Sequence, residues 1–470
     1  MDSNTPTHHQ DLAEDQQQAR AAAQRRLRSD GSGDATVAAF LDAFDRLAAG
    51  ESGVIAEQDI EPVGQLPDAD LLPDPDEAAL DALGETVVIK LNGGLGTSMG
   101  LTGPKSLLRV KGEQSFLDLT AGALLGLWKR TGRTVPLVLM DSFATREPSL
   151  AALRPYGALS GDLPADFLQN RVPKLAADTL FPVEHRQDPE LTWAPPGHGD
   201  FYPALRGSGL LDTLLERGFR YAFVSNIDNL GAVLDPRILR HLVATGAPFL
   251  MEVADRTDAD RKGGHLARRR EGGGLVLREI AQTADADADA FADIDHYHYF
   301  NTNNLWVDLE ALRSAMDAAG GVLRLPMIVN RKTVDPTDAD SSPVIQLETA
   351  MGAAVASFPD ATALRVTRSR FLPVKTTSDL LVVRSDAYDL SGGAIQLSPS
   401  RKAAPLVQLG AEFKLIDSLE RRFPGGPPSL VDADRLTVRG DVRFGSDVVV
   451  TGTVTVEGPA TIPDGAKLSG

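Results

Sequence analysis

Residues 86–106 read TVVIKLNGGLGTSMGLTGPKS, an apolar run followed directly by a glycine-dense segment. The apolar run, residues 86–91, has the length and the β-branched content of a buried strand. Glycines allow backbone N–H groups to approach a ligand closely, and Lys105 supplies a point charge that suits phosphate. We expect Pro104 and Lys105 to open a helix, whose N-terminus would add positive potential. This stretch therefore predicts an anion-binding loop at the carboxyl end of a strand in an α/β domain.

Two common phosphate-binding signatures do not fit this loop. Pro104 stands where the Walker sequence needs a glycine before its lysine, and Gly93, Gly96 and Gly100 are not spaced as G-x-G-x-x-G. Because a glycine-rich turn is often only a turn, the phosphate interpretation and a purely structural one both stay open on these residues alone.

Other apolar runs predict the rest of the α/β domain. Residues 135–140, 221–224 and 248–253 suit buried strands, and residues 116–128 show a helical pattern. Parallel sheets place ligands at the carboxyl ends of their strands, so we expect the chemistry in the loops that follow these runs.

The N-terminal part of the chain is predicted to be helical. Residues 1–33 are polar and predict a frayed arm or a surface helix. An apolar stripe at three- and four-residue steps predicts an amphipathic helix that begins at Asp34 as its N-cap and ends before Gly50. Residues 61–76 contain four prolines among acidic residues and predict an extended connector.

A six-residue spacing of apolar residues marks the last forty residues. One series is Leu430, Leu436, Val442, Val448 and Val454, and the other is Val438, Phe444, Val450, Val456, Ile462 and Leu468. This period predicts short strands wound as a β-helix, whose coils share one core. An antiparallel meander with alternating faces is the competing interpretation, and the spacing leaves it open.

The composition excludes several classes of protein. The chain has 470 residues, and 47 Lys plus Arg against 65 Asp plus Glu give a net charge of −18. Nucleic acids and anionic membranes are bound by basic surfaces, so neither is expected as a partner. The sequence contains no cysteine, which excludes disulfides, thiolate metal sites and a cysteine nucleophile. Because the N-terminus shows no basic start followed by an apolar segment, we expect a cytoplasmic protein.

Eight blocks of sequence, taken together, resemble one enzyme family. They are the glycine loop, VPLVLMDSF (135–143), PPGHGDFYPAL (195–205), VSNIDNLGA (224–232), MEVADRTDADRKGG (251–264), FNTNNLWVDL (300–309), VIQLETAMGAA (344–354) and RSRFLPVKTTSDLL (368–381). In this order they resemble the eukaryotic-type UTP–glucose-1-phosphate uridylyltransferases, also called UDP-glucose pyrophosphorylases. The resemblance covers roughly residues 60–460.

The resemblance implies a Rossmann-like nucleotidyltransferase core with a mixed sheet, followed by a C-terminal β-helix. The implied domains are an N-terminal arm and helix over 1–60, a catalytic domain over 61–385, and a linker with the β-helix over 386–470. The implied reaction makes UDP-glucose and pyrophosphate from UTP and glucose 1-phosphate by Mg²⁺-assisted in-line attack on the α-phosphorus of UTP. Self-association through the β-helix stays open.

Three residues outside the glycine loop suit phosphate and metal chemistry. His198 lies in a Gly-His-Gly turn that can present its imidazole to an anionic oxygen, and Asp228 follows a strand in a position that suits Mg²⁺. Lys375 could neutralise charge on the α-phosphoryl group and on the departing pyrophosphate. On the residues alone, a structural or solvated role explains each at least as well. The resemblance favours Lys105, His198, Asp228 and Lys375 as catalytic residues, with Asp228 as the metal ligand.

Paired asparagines predict a site for hydroxyl groups. Asn301 and Asn303 alternate along a strand-like run, so both amides are expected on one side, although they could equally cap neighbouring turns. The resemblance implies that the sugar is contacted by these two residues, Asn226, Gly263, Glu279 and Phe371. It implies that the uracil nucleotide is contacted by Leu91, Gly93, Gly94, Met140, Gln169 and Gly197, and Asn92 is expected to be a further substrate-binding residue.

Two residues depart from the family pattern. Asp141 and Ala144 stand where asparagine is expected, which concerns contacts close to the base.

The sequence also leaves two other functions open, a UDP-sugar pyrophosphorylase of broad specificity and an inactive nucleotide-sugar sensor. An inactive sensor is expected to lack residues that bind phosphate. All four catalytic candidates are present, which argues against this function.

Overall fold

The computed structural model describes residues 6–157 and 159–470, with side chains described from residue 14 onward. The α-helices of these residues are α1 Pro6–Ser29, α2 Asp34–Ala48, α3 Glu77–Gly84, α4 Phe116–Thr131, α5 Arg146–Leu153, α6 Phe201–Gly207, α7 Leu210–Glu216, α8 Pro236–Thr245, α9 Ala288–Ala292, α10 Leu309–Ala318, α11 Thr377–Arg384 and α12 Ile416–Arg422.

The strands are β1 Ile60–Pro62, β2 Thr86–Asn92, β3 Arg109–Lys111, β4 Gln114–Ser115, β5 Leu137–Asp141, β6 Asp166–Leu168, β7 Val172–Pro173, β8 Leu175–Ala176, β9 Trp193–Ala194, β10 Tyr221–Asn226, β11 Phe249–Asp255, β12 His265–Arg269, β13 Leu275–Arg278, β14 Tyr299–Asp308, β15 Met327–Thr333, β16 Pro343–Thr349, β17 Thr362–Arg365, β18 Tyr388–Ser391, β19 Ala394–Leu397, β20 Leu406–Leu409, β21 Ser429–Arg439, β22 Val442–Phe444, β23 Val449–Glu457, β24 Ala460–Ile462 and β25 Lys467–Ser469.

The chain divides into two compact units, each assembled from three segments. The first unit comprises Met1–Pro73, Phe167–Val224 and Arg237–Val366, and the second comprises Asp74–Asp166, Ser225–Pro236 and Thr367–Gly470. Both units contain paired strands and helices, so the α/β class predicted from the sequence is confirmed.

The first unit is built on a mixed sheet. Its central strand, β14, pairs antiparallel with β10, β11 and β12. The sheet continues from β12 to β1 and β13, and from β11 to β17, which runs parallel to β11. All residues of β11 except the last are buried, which explains why this part of the sequence is apolar apart from Glu252. The mixed sheet expected from the sequence is therefore confirmed.

The N-terminal helices belong to the core of the first unit. Ala19, Ala23 and Leu27 on α1 are fully buried and pack in one cluster with Phe40 and Phe44 of α2. The predicted surface helix is thus a packed helix from residue 14 onward, while residues 1–5 of the predicted arm lie outside the described residues. The amphipathic helix is confirmed as α2, although Gly33 rather than Asp34 occupies the N-cap position.

The second unit contains the strand and the helix on either side of the glycine loop. Strand β2 is buried at six of its seven positions and pairs in parallel with β5. Helix α4 begins where predicted because Ser115 and Asp118 form a capping box, and it ends at Gly132, whose φ of 68° is left-handed. The carboxyl ends of β2 and β5 therefore lie side by side and lead into the two loops that follow.

The C-terminal part of the second unit consists of parallel strands. Leu436 pairs with Val454 and Phe444 with Ile462, in each case 18 residues, or three six-residue steps, further along the chain. These four positions belong to the apolar series predicted from the sequence, and Leu436 and Phe444 are almost fully buried. Because the pairing is parallel, the antiparallel meander is wrong.

Within the described residues, every helix is too short or too polar to cross a lipid bilayer.

Candidate active site

The glycine loop of the second unit follows β2 and folds back on itself. The backbone N–H of Lys105 donates to Gly94 O at 3.0 Å and closes the loop. Gly96 and Gly100 have φ of 64° and 80°, a conformation that side chains other than glycine rarely adopt. The helix predicted after Pro104 is wrong, because residues Lys105–Leu107 form one 3₁₀ turn and lead into β3. The loop therefore presents backbone groups and a lysine without an α-helix N-terminus.

Lys105 and Asp228 are brought together in the second unit. Lys105 Nζ lies 2.6 Å from Asp228 Oδ2, and the two side chains are 13% and 20% exposed. Asp228 reaches this position because the loop after β10 is held at Leu91, whose carbonyl accepts from Ile227 N at 3.1 Å. Two residues that lie 123 positions apart in the sequence thus form one charged pair.

A buried lysine secures the ends of the loop that carries Asn226 and Asp228. Lys90 is 4% exposed, and its Nζ donates to Ser225 Oγ and to Ala232 O, both at 2.7 Å. Ser225 and Ala232 flank the loop on its two sides. Sequence reasoning missed this residue, because a lysine inside an apolar strand gives no sign of its partners.

The segment that carries Phe371 and Lys375 is anchored to the same loop. Val374 N donates to Asp228 O at 3.1 Å, and Leu230 N donates to Leu372 O at 3.1 Å. Lys375 itself is exposed, with its backbone N–H bound to Asp379 at the start of α11. The structure therefore places Lys375 next in the chain to a residue bound to Asp228, with its side chain open to solvent rather than buried.

Asn92 and Met140 occupy the carboxyl ends of β2 and β5 and are both buried. Asn92 Nδ2 donates to Asp141 Oδ1 at 2.7 Å and to Ser149 Oγ at 2.8 Å. Burial raises the pKa of Asp141 to about 6, although hydrogen bonds from Asn92 and Thr145 oppose this rise. Asp141 thus contacts the start of the glycine loop directly, whereas Ala144 is exposed.

The Gly-His-Gly turn belongs to the first unit and packs tightly on the end of β16. A Cβ at Gly197 would lie 2.4 Å from Thr349 O, and one at Gly199 would lie 2.3 Å from Thr349 Oγ1, so both positions require glycine. Met351 N donates to His198 Nδ1 at 3.0 Å. A neutral His198 therefore carries its proton on Nε2, where it can donate to an anionic oxygen.

The residue that follows Gln169, Asn170, makes a contact that the sequence did not reveal. Asp200, which ends the Gly-His-Gly turn, accepts from Asn170 N at 2.6 Å and from Asn170 Nδ2 at 2.9 Å. Asp200 is almost fully buried, and this burial raises its pKa to about 7. One buried carboxyl therefore links the turn of His198 to the segment of Gln169.

Asn301 and Asn303 meet, but not through regular alternation. Asn301 Nδ2 donates to Asn303 Oδ1 at 2.7 Å, and Asn303 N donates to Asn301 Oδ1 at 2.9 Å. Strand β14 has a bulge here, since Val253 and Glu252 of β11 pair with Asn301 and Asn304 and skip the two residues between. Asn303 has a φ of 59°, so the expected even strand is wrong at this point.

Glu279 lies against Gly264, whereas the glycine predicted to contact the sugar was Gly263. A Cβ at Gly264 would lie 2.4 Å from Glu279 Oε2, whereas one at Gly263 would meet only Asp260 O at 3.3 Å. Asn301 N also donates to Gly264 O at 3.3 Å. Gly264 thus joins two of the predicted sugar residues within the first unit, and Gly263 directly precedes it.

The donor set fits a metal ion that arrives with a nucleotide. Among the described residues, no group of three or more His, Cys, Asp or Glu side chains could hold a metal ion. Asp228 offers a single carboxylate. Since Mg²⁺ in nucleotide sites uses one or two carboxylates together with substrate phosphates, this donor set suits such a cation and does not suit a metal centre built of protein ligands alone.

Comparison with known proteins gives one consistent result. A family model described as UTP–glucose-1-phosphate uridylyltransferase matches residues 37–451. A probable UTP–glucose-1-phosphate uridylyltransferase of Schizosaccharomyces pombe is 43% identical over 379 residues, which are 80% of this chain and 74% of the relative. The UTP–glucose-1-phosphate uridylyltransferase of Hordeum vulgare is 42% identical over 445 residues, 92% of this chain and 91% of the relative.

Solved structures agree with these sequence relatives. A mutant of UDP-glucose pyrophosphorylase from Leishmania major, in complex with UDP-glucose, superposes with a TM-score of 0.90 and is 44% identical, covering 96% of this chain and 98% of that one. A UDP-glucose phosphorylase from Trypanosoma brucei superposes with a TM-score of 0.86 at 44% identity, with the same coverage.

Proposed function

The chain belongs to the UTP–glucose-1-phosphate uridylyltransferase family, and we propose that Lys105, His198, Asp228 and Lys375 carry out the reaction of that family with Mg²⁺. The protein is a transferase that makes UDP-glucose and pyrophosphate from UTP and glucose 1-phosphate. The observation that carries the residue assignment is the ion pair of Lys105 and Asp228 beside the glycine loop.

The reaction requires positioning and charge neutralisation rather than a covalent intermediate. A phosphate oxygen of glucose 1-phosphate forms a bond to the α-phosphorus of UTP, while the bond from that phosphorus to the bridging oxygen of the β-phosphate breaks. Pyrophosphate leaves with the electron pair. The attacking phosphate is already ionised at neutral pH, so the step needs no general base.

Lys105 and Asp228 exchange partners when the nucleotide binds. The ammonium of Lys105 and the carboxylate of Asp228 form an ion pair, and a triphosphate would offer Lys105 a stronger anionic partner. Asp228 would then hold Mg²⁺, which when bound neutralises charge on the phosphate oxygens. The glycine loop supplies backbone N–H groups to the same phosphates.

His198 and Lys375 bind the reacting oxygens. With Nδ1 accepting from Met351 N, His198 donates from Nε2 to the phosphate of glucose 1-phosphate. Lys375 is exposed and can move towards the α-phosphoryl group, where its charge matters most as negative charge develops.

The remaining candidates bind the base and the sugar. We assign Leu91, Gly93, Gly94, Met140, Gln169 and Gly197 to the uracil nucleotide, and Asn92 to the substrate-binding end of the same strand. We assign Asn226, Gly263, Glu279, Asn301, Asn303 and Phe371 to the sugar, where the bonded amides of Asn301 and Asn303 offer both donors and acceptors to hydroxyl groups.

The functional division of the chain follows the same assignment. We propose an N-terminal arm and helix over 1–60, a Rossmann-like catalytic domain over 61–385, and a linker with a C-terminal β-helix over 386–470. The parallel pairing at 18-residue steps, as between Leu436 and Val454, supports the β-helix.

A cytoplasmic location is proposed because the sequence contains no cysteine. Self-association through the β-helix is also proposed, and the molecular mass in solution tests it.

A substrate panel tests the specificity. Pyrophosphate release is measured with UTP and Mg²⁺ and with glucose 1-phosphate, galactose 1-phosphate or N-acetylglucosamine 1-phosphate, beside a control without metal. We expect metal-dependent release with glucose 1-phosphate alone. Comparable rates with several sugars would instead indicate a broad UDP-sugar pyrophosphorylase, and UDP-glucose binding without release would indicate a sensor.

A further inference from the structure

Asn92 and Asp141 are the last residues of β2 and β5, and they are register partners in the parallel pair. They are 1% and 0% exposed. The Asn92 amide nitrogen uses both hydrogens, donating to Asp141 Oδ1 at 2.7 Å and to Ser149 Oγ at 2.8 Å. Thr145 Oγ1 donates to the same Asp141 oxygen at 3.0 Å. These bonds fix the orientation of both side chains.

The opposite oxygen of each side chain lacks a partner. Among the described residues, Asn92 Oδ1 and Asp141 Oδ2 are buried and accept no hydrogen bond. If Asp141 is ionised, both atoms are acceptors, and burying an acceptor without a donor is costly. One proton on Asp141 Oδ2 turns that atom into a donor. A carboxylic acid and a primary amide can then exchange two hydrogen bonds.

The charged groups around Asp141 do not stabilise an ionised carboxylate strongly. Arg146 on α5 favours the carboxylate and Asp166 on β6 disfavours it, while burial is the largest influence and raises the pKa. Arg146 Nε lies 2.7 Å from Asp166 Oδ2, so this cation already has an anionic partner. The environment of Asp141 therefore keeps its carboxyl protonated to a higher pH than that of a solvated aspartate.

We propose that Asp141 is a positioning residue that acts as a neutral acid, and that its acid–amide pair with Asn92 holds the start of the glycine loop in place for UTP. Asn92 directly precedes Gly93, and Met140 directly precedes Asp141. Loss of the proton would therefore disturb both loop ends that are assigned to the nucleotide.

The experiment compares the wild type with Asp141→Asn and with Glu113→Gln. An asparagine at position 141 can donate and accept at any pH, so D141N preserves the pair. Glu113 is exposed, and E113Q removes the same charge from the surface of the same unit. The KM for UTP is measured from about pH 6 to about pH 9, and the carbonyl stretch of a protonated carboxyl is recorded by infrared spectroscopy of the ligand-free proteins.

We expect the ratio of wild-type KM to D141N KM to rise about fivefold or more across this range, because only the wild type loses the proton. UTP itself titrates near neutrality, but equally for all three proteins. We also expect the infrared absorption of protonated carboxyls at about pH 6 to be weaker in D141N than in the wild type and in E113Q, since Asp200, whose pKa burial raises to about 7, contributes equally in all three.

Two results would overturn the proposal. One is the absence of any protonated-carboxyl band that D141N removes. The other is a pH dependence of KM that is the same in D141N as in the wild type, or that E113Q alters as D141N does. The KM readout rests on the proposed role of the glycine loop, whereas the infrared readout does not. A band without a KM effect would therefore refute the positioning role alone.

Discussion

Lys105 Nζ lies 2.6 Å from Asp228 Oδ2, so the lysine of the glycine loop and the proposed metal ligand form an ion pair. Both side chains are largely buried, and their mutual attraction is therefore screened less than that of a surface pair. In the proposed reaction, the nucleotide and its cation would compete for the two members of this pair.

This competition predicts opposite effects of two substitutions on UTP binding without metal. Asp228→Asn removes the internal partner of Lys105 and should tighten metal-free UTP binding, whereas Lys105→Ala should weaken it about tenfold or more. Isothermal titration with UTP in the presence of a chelator measures both. Weaker binding by D228N than by the wild type would contradict the partner exchange.

Lys375→Ala should lower kcat far more than UTP affinity. The proposed contact strengthens as charge develops on the α-phosphoryl group, and removal of such a donor typically costs about 10²- to 10³-fold in turnover. Steady-state kinetics at saturating substrates and UTP binding by titration give the two quantities. Lys402→Ala, at an exposed lysine of the same unit, is the control. An unchanged kcat in K375A would exclude the role.

Lys90→Met should loosen the loop that carries Asp228. The substitution leaves Ala232 O buried without its 2.7 Å donor, which costs about 1–3 kcal/mol of unfolding free energy. The Mg²⁺ concentration for half-maximal activity should also rise. Ser225→Ala removes only the other bond of Lys90 and should have the smaller effect on both quantities. Urea unfolding measures the stability, and Mg²⁺ titration measures the half-maximal concentration. Equal effects of the two variants would argue against the view that Lys90 holds both ends of the loop.

Asp200 should make the stability of the protein depend on pH. Burial raises its pKa to about 7 in the folded state, whereas an unfolded aspartate titrates near 3.8. Because the pKa is raised, the contribution of Asp200 to stability is fully present below about pH 4 and is lost as pH rises through about 7, by an amount on the order of 4 kcal/mol.

Asp200→Asn removes this titration. The stability advantage of the wild type over D200N should therefore shrink between about pH 5 and about pH 8 in urea unfolding, since all other groups cancel in the difference. Asp212→Asn, at an exposed residue of the same unit, is the control. The difference in stability between the wild type and D212N should stay constant over this pH range. A difference between wild type and D200N that does not change with pH would refute the assignment.

The elements that depend on local pattern could be predicted from the sequence. Strands β2 and β11 and helices α2 and α4 follow directly from their apolar runs and periodicity. The 3₁₀ turn at Lys105–Leu107 was not predictable from the local pattern. The β3–β4 hairpin begins at Arg109, so the segment after Pro104 is too short for an α-helix. The burial of α1 was missed, since its buried residues include the small Ala19 and Ala23.

In the candidate site, too, local motifs could be recognised in the sequence, whereas contacts between distant segments could not. Motifs predicted Lys105, Asp228 and His198, but the buried residues that hold the segments of Asp228 and His198 bind distant parts of the chain, which spacing cannot reveal. Lys90 contacts Ala232 across 142 positions, and Asp200 contacts Asn170 across 30. The bulge that brings Asn301 and Asn303 together also depends on the pairing of β14 with β11 rather than on the local sequence.

The most direct test of the account is the Mg²⁺ dependence of pyrophosphate release from UTP and glucose 1-phosphate, measured for the wild type and for Asp228→Asn side by side. The account predicts that the wild type saturates with Mg²⁺, whereas D228N retains less than about a hundredth of its rate at any Mg²⁺ concentration while still binding UTP. A D228N variant that releases pyrophosphate at the wild-type rate and with the same Mg²⁺ dependence would contradict it.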